Sequence, residues 1–205
     1  MKIIRLIDIT YKNVMFFINL YNDVNKFTQG ENLLKEVFAI PAVGALIYRI
    51  KDNKLNILVQ ERYKENEIFE KGLLELPAGK IREYEDIFKA LKREVEEETG
   101  LTIIEIIGEN NIDTREMGEY TVNSYVPFCC TQNLSGGYSI ILQTFLCKVE
   151  GKIIPNSNET RNVRWMNVDD IYSSINKNLE AWYPMHINTL FKFIDYYQKG
   201  FIYEW

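Results

Sequence analysis

The stretch GKIREYEDIFKALKREVEEETGL, residues Gly79–Leu101, places four glutamates around a single valine just before a glycine. Its apolar residues recur four apart from Ile87 to Val95, and Gly100 stands where a left-handed residue ends a helix, so the spacing predicts a helix over 84–99. Like charges three or four residues apart repel by about 0.2–0.5 kcal/mol per pair, and carboxylates in a last turn meet the negative end of the helix dipole. Folding alone would not select this acidic run.

Two of these glutamates point toward the apolar face of the predicted helix. At about 100° per residue, Glu94 and Glu98 fall beside Leu91 and Val95, and Glu97 flanks the same stripe. Burying an unpaired carboxylate is costly, so converging carboxylates need a compensating charge. Mg²⁺ or Mn²⁺ suits oxygen ligands that stay open on one side, whereas zinc would call for histidine or thiolate ligands. The alternative interpretation of an acidic run is a solvated helix face.

Short apolar runs predict strands on both sides of this helix. The runs AVGALIYRI and LNILVQERY flank the turn KDNK and predict a hairpin. Further strands are predicted at GLLELPAGK, LTIIEIIG, SYVPFCC, SIILQTFLCKV and RNVRWMNV, and helices around Val168–Ser174 and Met185–Gln198. The predicted fold class is therefore α/β (α+β), with a mixed β-sheet flanked by helices.

Particular residue types recur at set distances along the opening stretch. Five residues separate Gly79 from Glu85 and seven more lead to Arg93, after which the chain reads Glu94, aliphatic Val95, Glu96, Glu97, Glu98, Thr99, Gly100 and aliphatic Leu101. This pattern matches every fixed position of the Nudix box, so the chain resembles the Nudix hydrolase superfamily. The resemblance implies a Nudix-type α/β/α sandwich over residues 41–205. Alternating apolar runs and polar breaks predict an N-terminal β-strand segment over 1–40.

The resemblance also implies an activity and a cofactor. Nudix hydrolases cleave a nucleoside diphosphate linked to another moiety by attack of water on phosphorus, with Mg²⁺ or Mn²⁺ bound to the box. By position in the box, the implied metal ligands are Glu94, Glu97, Glu98 and the carbonyl of Ala78. Arg93 would orient the glutamates by charge-assisted pairs, and Glu85 would support the site or a second metal through water.

Two glycines shape the loops on either side of the predicted helix. Gly79, after Pro77 and Ala78, allows a backbone path that a side chain would block, and it brings main-chain groups toward a metal or phosphate. Gly100 shapes the loop that follows the helix. A Pro-Ala-Gly sequence occurs in ordinary turns as well, which is the alternative interpretation of Gly79.

Other candidate substrate contacts lie outside the box. Gln60 and Arg62 end the second predicted strand, where they are candidates to reach the phosphates; a surface salt bridge is the alternative. Tyr125, Phe128 and Trp165 are candidates to stack on a base. With aromatic residues at 13% of the chain, most of them must belong to the core.

The segment ELPAGKI resembles the ADP-ribose and ADP-sugar pyrophosphatase branch of the superfamily. This branch implies an ADP-ribose-like substrate that is split into AMP and a sugar phosphate. Such enzymes often carry a glutamate as catalytic base in the loop that corresponds to TQNLSGGYS, residues 131–139, and this loop contains none. Glu159 is the candidate base, and a solvated loop glutamate is the alternative.

Two other functions are compatible with the box. One is hydrolysis of nucleoside triphosphates or dinucleoside polyphosphates, which changes the substrate but keeps the chemistry. The other is a nucleotide-sensing Nudix domain that binds its ligand without cleaving it. Sensing domains tend to lose glutamates of the box, and this chain retains them.

Composition limits the partners. The formal charge of −5 offers no basic face for nucleic acid, and the run VMFFI is too short for a membrane span. Cys129, Cys130 and Cys147 lack zinc-site spacing and are predicted to be reduced core thiols of a cytoplasmic protein. His186, the single histidine, is predicted to be structural. The pyrophosphatase branch often forms homodimers through N-terminal strands, which is the oligomeric state that the resemblance implies.

Overall fold

The structure is a computed structural model that describes residues 36–64 and 69–201. The chain divides into two units at the boundary between Phe38 and Ala39. The predicted strand segment over 1–40 therefore lies almost entirely outside the described residues. The description below concerns the second unit.

A hairpin forms the centre of the sheet, as the sequence predicts. Strands β1 (Ile40–Lys51) and β2 (Lys54–Arg62) pair antiparallel. The two residues that join them, Asp52 and Asn53, have φ values of 53° and 57°. Aspartate and asparagine tolerate this left-handed conformation, and a turn of this kind matches the twist of paired strands.

The remaining strands complete a mixed sheet. Their bounds are β3 Leu74–Glu75, β4 Ala78–Lys80, β5 Leu101–Ile106, β6 Asp113–Met117, β7 Tyr120–Ser124, β8 Cys129–Gln132, β9 Ile140–Gly151 and β10 Thr160–Asn167. The central order is β10-β2-β1-β9-β5, with β3 on β2, β4 on β1 and β8 on β9. Only β1 and β9 run parallel among these pairs. A separate hairpin is formed by β6 and β7.

Helices cover both faces of this sheet and create two hydrophobic layers. The helices are α1 (Ile87–Thr99), α2 (Val168–Lys177) and α3 (Pro184–Gln198), with short 3₁₀ turns at Glu109–Asn111 and Leu179–Ala181. Alternate residues of β1 point to opposite faces, so Val43 packs with α1 while Leu46 packs with α2 and α3. The predicted α/β/α sandwich is thus confirmed. Within the described residues, no helix has the length and apolar character needed to cross a membrane.

Helix α1 begins later than the sequence predicts. Tyr84 has a φ of 58° and lies outside the helix, whereas the Asp86 carboxylate accepts hydrogen bonds from the amides of Phe88 and Lys89, each at 3.0 Å. Asp86 is therefore the N-cap. The predicted end is confirmed, since Gly100 has a φ of 71° and donates its N–H to Glu96.

One strand prediction needs correction, and one hairpin was missed. The run SYVPFCC contains the end of β7 and the start of β8 instead of a single strand, because Pro127 has no N–H to offer a neighbouring strand. The β6–β7 hairpin was not predicted from the sequence. Almost all of its side chains are exposed, so it lacks the alternation of buried apolar residues that marks a strand.

The cysteine prediction is correct for one residue of three. All three thiols are free, but only Cys147 is buried, while Cys129 is half-buried and Cys130 is exposed. Successive residues of a strand point to opposite faces, which places Cys130 on the outer face of β8.

Candidate active site

Arg93 joins three carboxylates at the entrance of the candidate site. Its guanidinium donates to both oxygens of Glu85, at 2.7 and 2.8 Å, and to Glu94 at 2.5 Å. A longer contact of 3.4 Å reaches Glu97 on the next turn. The hydrogen bonds from Arg93 lower the pKa of Glu85 to about 2. This geometry brings Arg93, Glu85, Glu94 and Glu97 together as the box pattern predicts.

Gly79 makes room for the Glu94 carboxylate. A Cβ atom added to Gly79 would lie 1.9 Å from the carboxyl carbon of Glu94, a distance that no pair of nonbonded carbon atoms tolerates. With glycine at this position, strand β4 can run beside α1 without displacing the Glu94 carboxylate. The predicted reason for a glycine, a path that a side chain would block, agrees with this contact.

Glu98 lies inside the protein, as the helix projection predicts. Its exposed fraction is 4%, and its Oε2 accepts hydrogen bonds from Gln60 Nε2 at 2.8 Å and from the Ala78 N–H at 3.0 Å. Burial, together with the nearby carboxyl group of Glu75, raises the pKa of Glu98 well above its usual value. Glu97 differs, because 54% of its side chain is exposed.

Glu75 is a second buried carboxyl group that the sequence did not single out. It is 3% exposed, and Arg62 Nη1 lies 3.2 Å from its Oε2. Arg62 also pairs with Glu70 at 2.9 Å. Burial raises the pKa of Glu75 to about 7 even though Arg62 acts in the opposite direction. In the sequence, the one sign that Glu75 is buried was its position in the predicted strand that Pro77 interrupts.

The raised pKa of Glu75 predicts how stability changes with pH in the metal-free protein. The folded state holds this proton more tightly than the unfolded state, so the stabilisation is fully present below pH 4.5 and is lost as the pH rises toward about 7. Replacing Glu75 with glutamine removes the titrating group. We expect the loss of unfolding free energy between these pH values to shrink by roughly 3 kcal/mol in Glu75→Gln.

Urea unfolding of both proteins in EDTA at several pH values measures this difference. A matched control is Glu96→Gln on the exposed face of α1, which should follow the wild-type curve. Parallel curves for wild type and Glu75→Gln would contradict the prediction.

Two adjoining cavities lie at these side chains. The first, which we call the glutamate cavity, has a volume of about 530 Å³ and is lined by Arg93, Glu94, Glu97 and Glu98 among others. The second, the tyrosine cavity, has a volume of about 660 Å³ and includes Arg62, Glu75, Tyr138, Tyr183 and His186. The residues common to both linings are Lys64, Gly79, Lys80, Asn158 and Glu159.

Glu159 lies where the two cavities meet. Its carboxylate is 2.6 Å from Lys64 Nζ, and 56% of its side chain is exposed. The carbonyl of Glu159 accepts a hydrogen bond from the Tyr63 N–H at 2.7 Å, which fixes the loop to the end of β2. The candidate base thus lines the same cavity as the box glutamates, and its catalytic role stays a prediction.

The aromatic residues of the site are not the three that the sequence suggested. Tyr125 packs against Phe88 and Phe145 in the core, with ring centroids 6.0 Å apart in each pair. Phe128 belongs to the opposite core layer, and Trp165 contacts the guanidinium of Arg49. None of the three lines either cavity among the described residues.

Tyr138 and Tyr183 are the aromatic residues that line the tyrosine cavity, in place of the three that the sequence suggested. Lys80 Nζ lies 5.1 Å from the ring centre of Tyr138, and the Arg62 guanidinium lies 4.5 Å from that of Tyr183. The glycines before Tyr138 and the proline after Tyr183 mark loop ends in the sequence, but they carry no signal of a cavity. His186 is 1% exposed, and burial lowers its pKa to about 3.

The chemical type of the donor groups suits a hard divalent cation. The glutamate cavity offers carboxylate oxygens, with no thiolate or imidazole among its lining residues. Across the described residues, however, no group of three or more His, Cys, Asp or Glu side chains is gathered closely enough to hold a metal ion. Arg93 Nη1 already binds Oε1 of Glu94 and, more loosely, Oε2 of Glu97, so a cation would meet the other oxygen of each carboxylate.

Comparison with known proteins adds a family and a fold. The family model described as NUDIX domain matches residues 39–186. No curated protein sequence matches this chain.

Several solved structures are similar to this chain. The NUDIX domain of Shewanella oneidensis NrtR, complexed with ADP ribose, is similar with a TM-score of 0.50 and 14% identity, over 77% of this chain and 94% of that one. The MutT protein of Methanosarcina mazei Go1 gives a TM-score of 0.48 at 22% identity, over 78% and 94%. A C. elegans Ap4A hydrolase binary complex gives 0.45 at 18%, over 78% and 98%. At these identities the similarity concerns the fold alone.

Proposed function

Because this chain belongs to the NUDIX domain family, whose members hydrolyse phosphorus anhydride bonds, we propose that it is a divalent-metal-dependent pyrophosphohydrolase. Its preferred substrate is ADP-ribose or an ADP-sugar, which it splits into AMP and a sugar phosphate. The observation that carries the proposal is the packing of the Glu94 carboxylate against Gly79, within the set of glutamates that Arg93 joins.

The box glutamates provide the charge for the reaction. Glu94, Glu97 and Glu98, together with the carbonyl of Ala78, would hold Mg²⁺ or Mn²⁺. When bound, such a cation neutralises the diphosphate, polarises phosphorus and lowers the pKa of the attacking water. Arg93 keeps the carboxylates oriented while the cation is absent. Water attacks one phosphorus of the diphosphate, and the bond from that phosphorus to the bridging oxygen breaks.

The tyrosine cavity is the proposed place for the rest of the substrate. Its volume of about 660 Å³ lies within the range of small-molecule sites. Tyr138 and Tyr183 offer aromatic surfaces, while Lys80 and Arg161 add positive charge in its lining. The similarly folded NrtR domain was solved with ADP ribose, which favours a ligand of this class.

Glu159 is the proposed base that accepts the proton of the attacking water. Lys64 keeps this carboxylate at the junction of the two cavities by the 2.6 Å ion pair. We predict that Glu159→Gln lowers kcat with little change in KM, because its amide cannot accept the proton of the attacking water. The measurement is a pH–rate profile of both proteins.

A matched control for Glu159→Gln is Glu109→Gln, because Glu109 also pairs with a lysine but lies outside both cavities. Its profile should equal that of wild type. A Glu159→Gln enzyme with the wild-type profile would assign the base elsewhere.

A substrate panel tests the proposed function as a whole. The protein is incubated with Mg²⁺ and ADP-ribose, ADP-glucose, NADH, diadenosine polyphosphates, CoA or nucleoside triphosphates, and the products are identified. AMP with ribose phosphate supports the proposal. Pyrophosphate released from triphosphates, or cleavage of dinucleoside polyphosphates alone, assigns another substrate; ligand binding without any product indicates a sensing domain.

A further inference from the structure

A row of buried polar side chains connects the two cavities. Glu98 lines the glutamate cavity, and its Oε2 accepts from Gln60 Nε2 at 2.8 Å. The same nitrogen lies 3.5 Å from Glu75 Oε1, and the other oxygen of Glu75 lies 3.2 Å from Arg62. Glu75 and Arg62 line the tyrosine cavity. Gln60 is thus the single amide between two buried carboxyl groups in this row.

Folding stability does not account for this arrangement. Gln60 is 0% exposed, and its Oε1 has no hydrogen-bond partner among the described residues. A buried carbonyl without a partner costs stability, as does each buried carboxylate. Gln60 follows the buried residues Leu58 and Val59 on β2, where an aliphatic side chain would suit a buried strand position.

The hydrogen bonds to Glu98 are unequal between its two oxygens. Both donors, Gln60 and the backbone N–H of Ala78, bind Oε2. Among the described residues no protein donor binds Oε1. One oxygen is therefore fixed by the protein and the other has no protein donor, in a residue that lines the glutamate cavity.

We propose that Gln60 is a positioning residue that fixes the buried Glu98 carboxylate so that its free oxygen meets the cation in the glutamate cavity. Glu75, held by Arg62, lies beyond Gln60 and limits where its amide can go. The inference rests on the proposed function, since it assumes that Glu98 binds a metal. It also changes the expectation for Gln60, which lines neither cavity and acts through Glu98 instead of touching the phosphates.

The test is Gln60→Met, which keeps the length of the side chain but removes its N–H donors. Manganese binding to the purified full chain is titrated by electron paramagnetic resonance, and thermal unfolding is recorded in EDTA and in Mn²⁺. We expect the Kd for Mn²⁺ to rise by about 10- to 100-fold, which is typical when a residue supporting a metal ligand is removed. The rise of Tm on adding Mn²⁺ should shrink accordingly.

The control is Gln143→Met, the same substitution at a half-buried site on β9. It should bind Mn²⁺ as wild type does. If Gln60→Met does not fold, Gln60→Asn, which keeps an amide but draws it back from Glu98, is measured by the same criteria.

The outcomes separate the two proposals. If wild type binds Mn²⁺ and the Gln60 variant binds it with the same Kd, the positioning role is overturned and the proposed function stays intact. A wild-type protein that binds no Mn²⁺ overturns both. A higher Kd for Mn²⁺ in the Gln60 variant, with the wild-type Kd kept in Gln143→Met, supports the inference.

Discussion

Replacing Glu98 with glutamine is expected to lower kcat by at least about 1,000-fold, since several kcal/mol of metal stabilisation in the transition state are at stake. The substitution keeps the shape of the side chain, and its amide oxygen can still accept the hydrogen bonds from Gln60 and Ala78. It removes the negative charge that the cation requires. Glu97→Gln should act in the same direction.

The same variant should keep its fold. Glu98 is buried next to Glu75, so a neutral side chain relieves a desolvation cost and a repulsion in the metal-free state. Unfolding in EDTA should show a Tm equal to or above that of wild type. Steady-state kinetics with saturating Mg²⁺ measure the loss of kcat, and Glu96→Gln, exposed on the same helix, is the control that should retain activity. Wild-type turnover by both Glu97→Gln and Glu98→Gln would remove these residues from the mechanism.

Gly79→Ala is expected to lower kcat by about 100-fold. The added Cβ would lie 1.9 Å from the Glu94 carboxyl carbon, so this carboxylate must move by more than 1 Å to restore ordinary contact. A displacement of that size at a catalytic group costs roughly two orders of magnitude in rate. Gly79 lacks a positive φ, so backbone conformation adds no strain of its own.

Gly44→Ala provides the comparison for Gly79→Ala. Gly44 lies on β1 opposite Ala78, and its added Cβ would meet a methyl group of Leu142 at 3.3 Å. A few tenths of an ångström of side-chain movement relieve that contact, so activity should stay within about threefold of wild type. Turnover is measured for each protein beside its circular dichroism spectrum. Equal activity of Gly79→Ala and wild type would show that Glu94 need not occupy its present position.

The parts of the fold that depend on local pattern were predictable from the sequence. The central hairpin follows from two apolar runs around a polar turn, and the inward direction of Glu98 follows from helical periodicity. The end of α1 follows from a glycine in the left-handed conformation. Each of these features is decided by residues within a few positions of one another.

The parts that depend on tertiary contacts were not predictable. Gln60 and Glu98 are 38 positions apart, and only the assembled sheet brings the amide to the carboxylate. Tyr138 and Tyr183 lie in different loops and meet only at the wall of one cavity. The burial of Glu75 depends on Arg62 across the β2–β3 pair, which no single run of residues reveals.

The hydrogen bonds of Arg93 to Glu94 and Glu97 would make this guanidinium a competitor for the cation of the proposed reaction. Arg93 binds one oxygen of each carboxylate, so a cation at the second oxygen would share the negative charge with the guanidinium and would be repelled by its positive charge. The affinity for the cation would thereby be lower, while the glutamates stay ordered without it. Activity should then rise gradually with the concentration of free cation instead of saturating at trace levels.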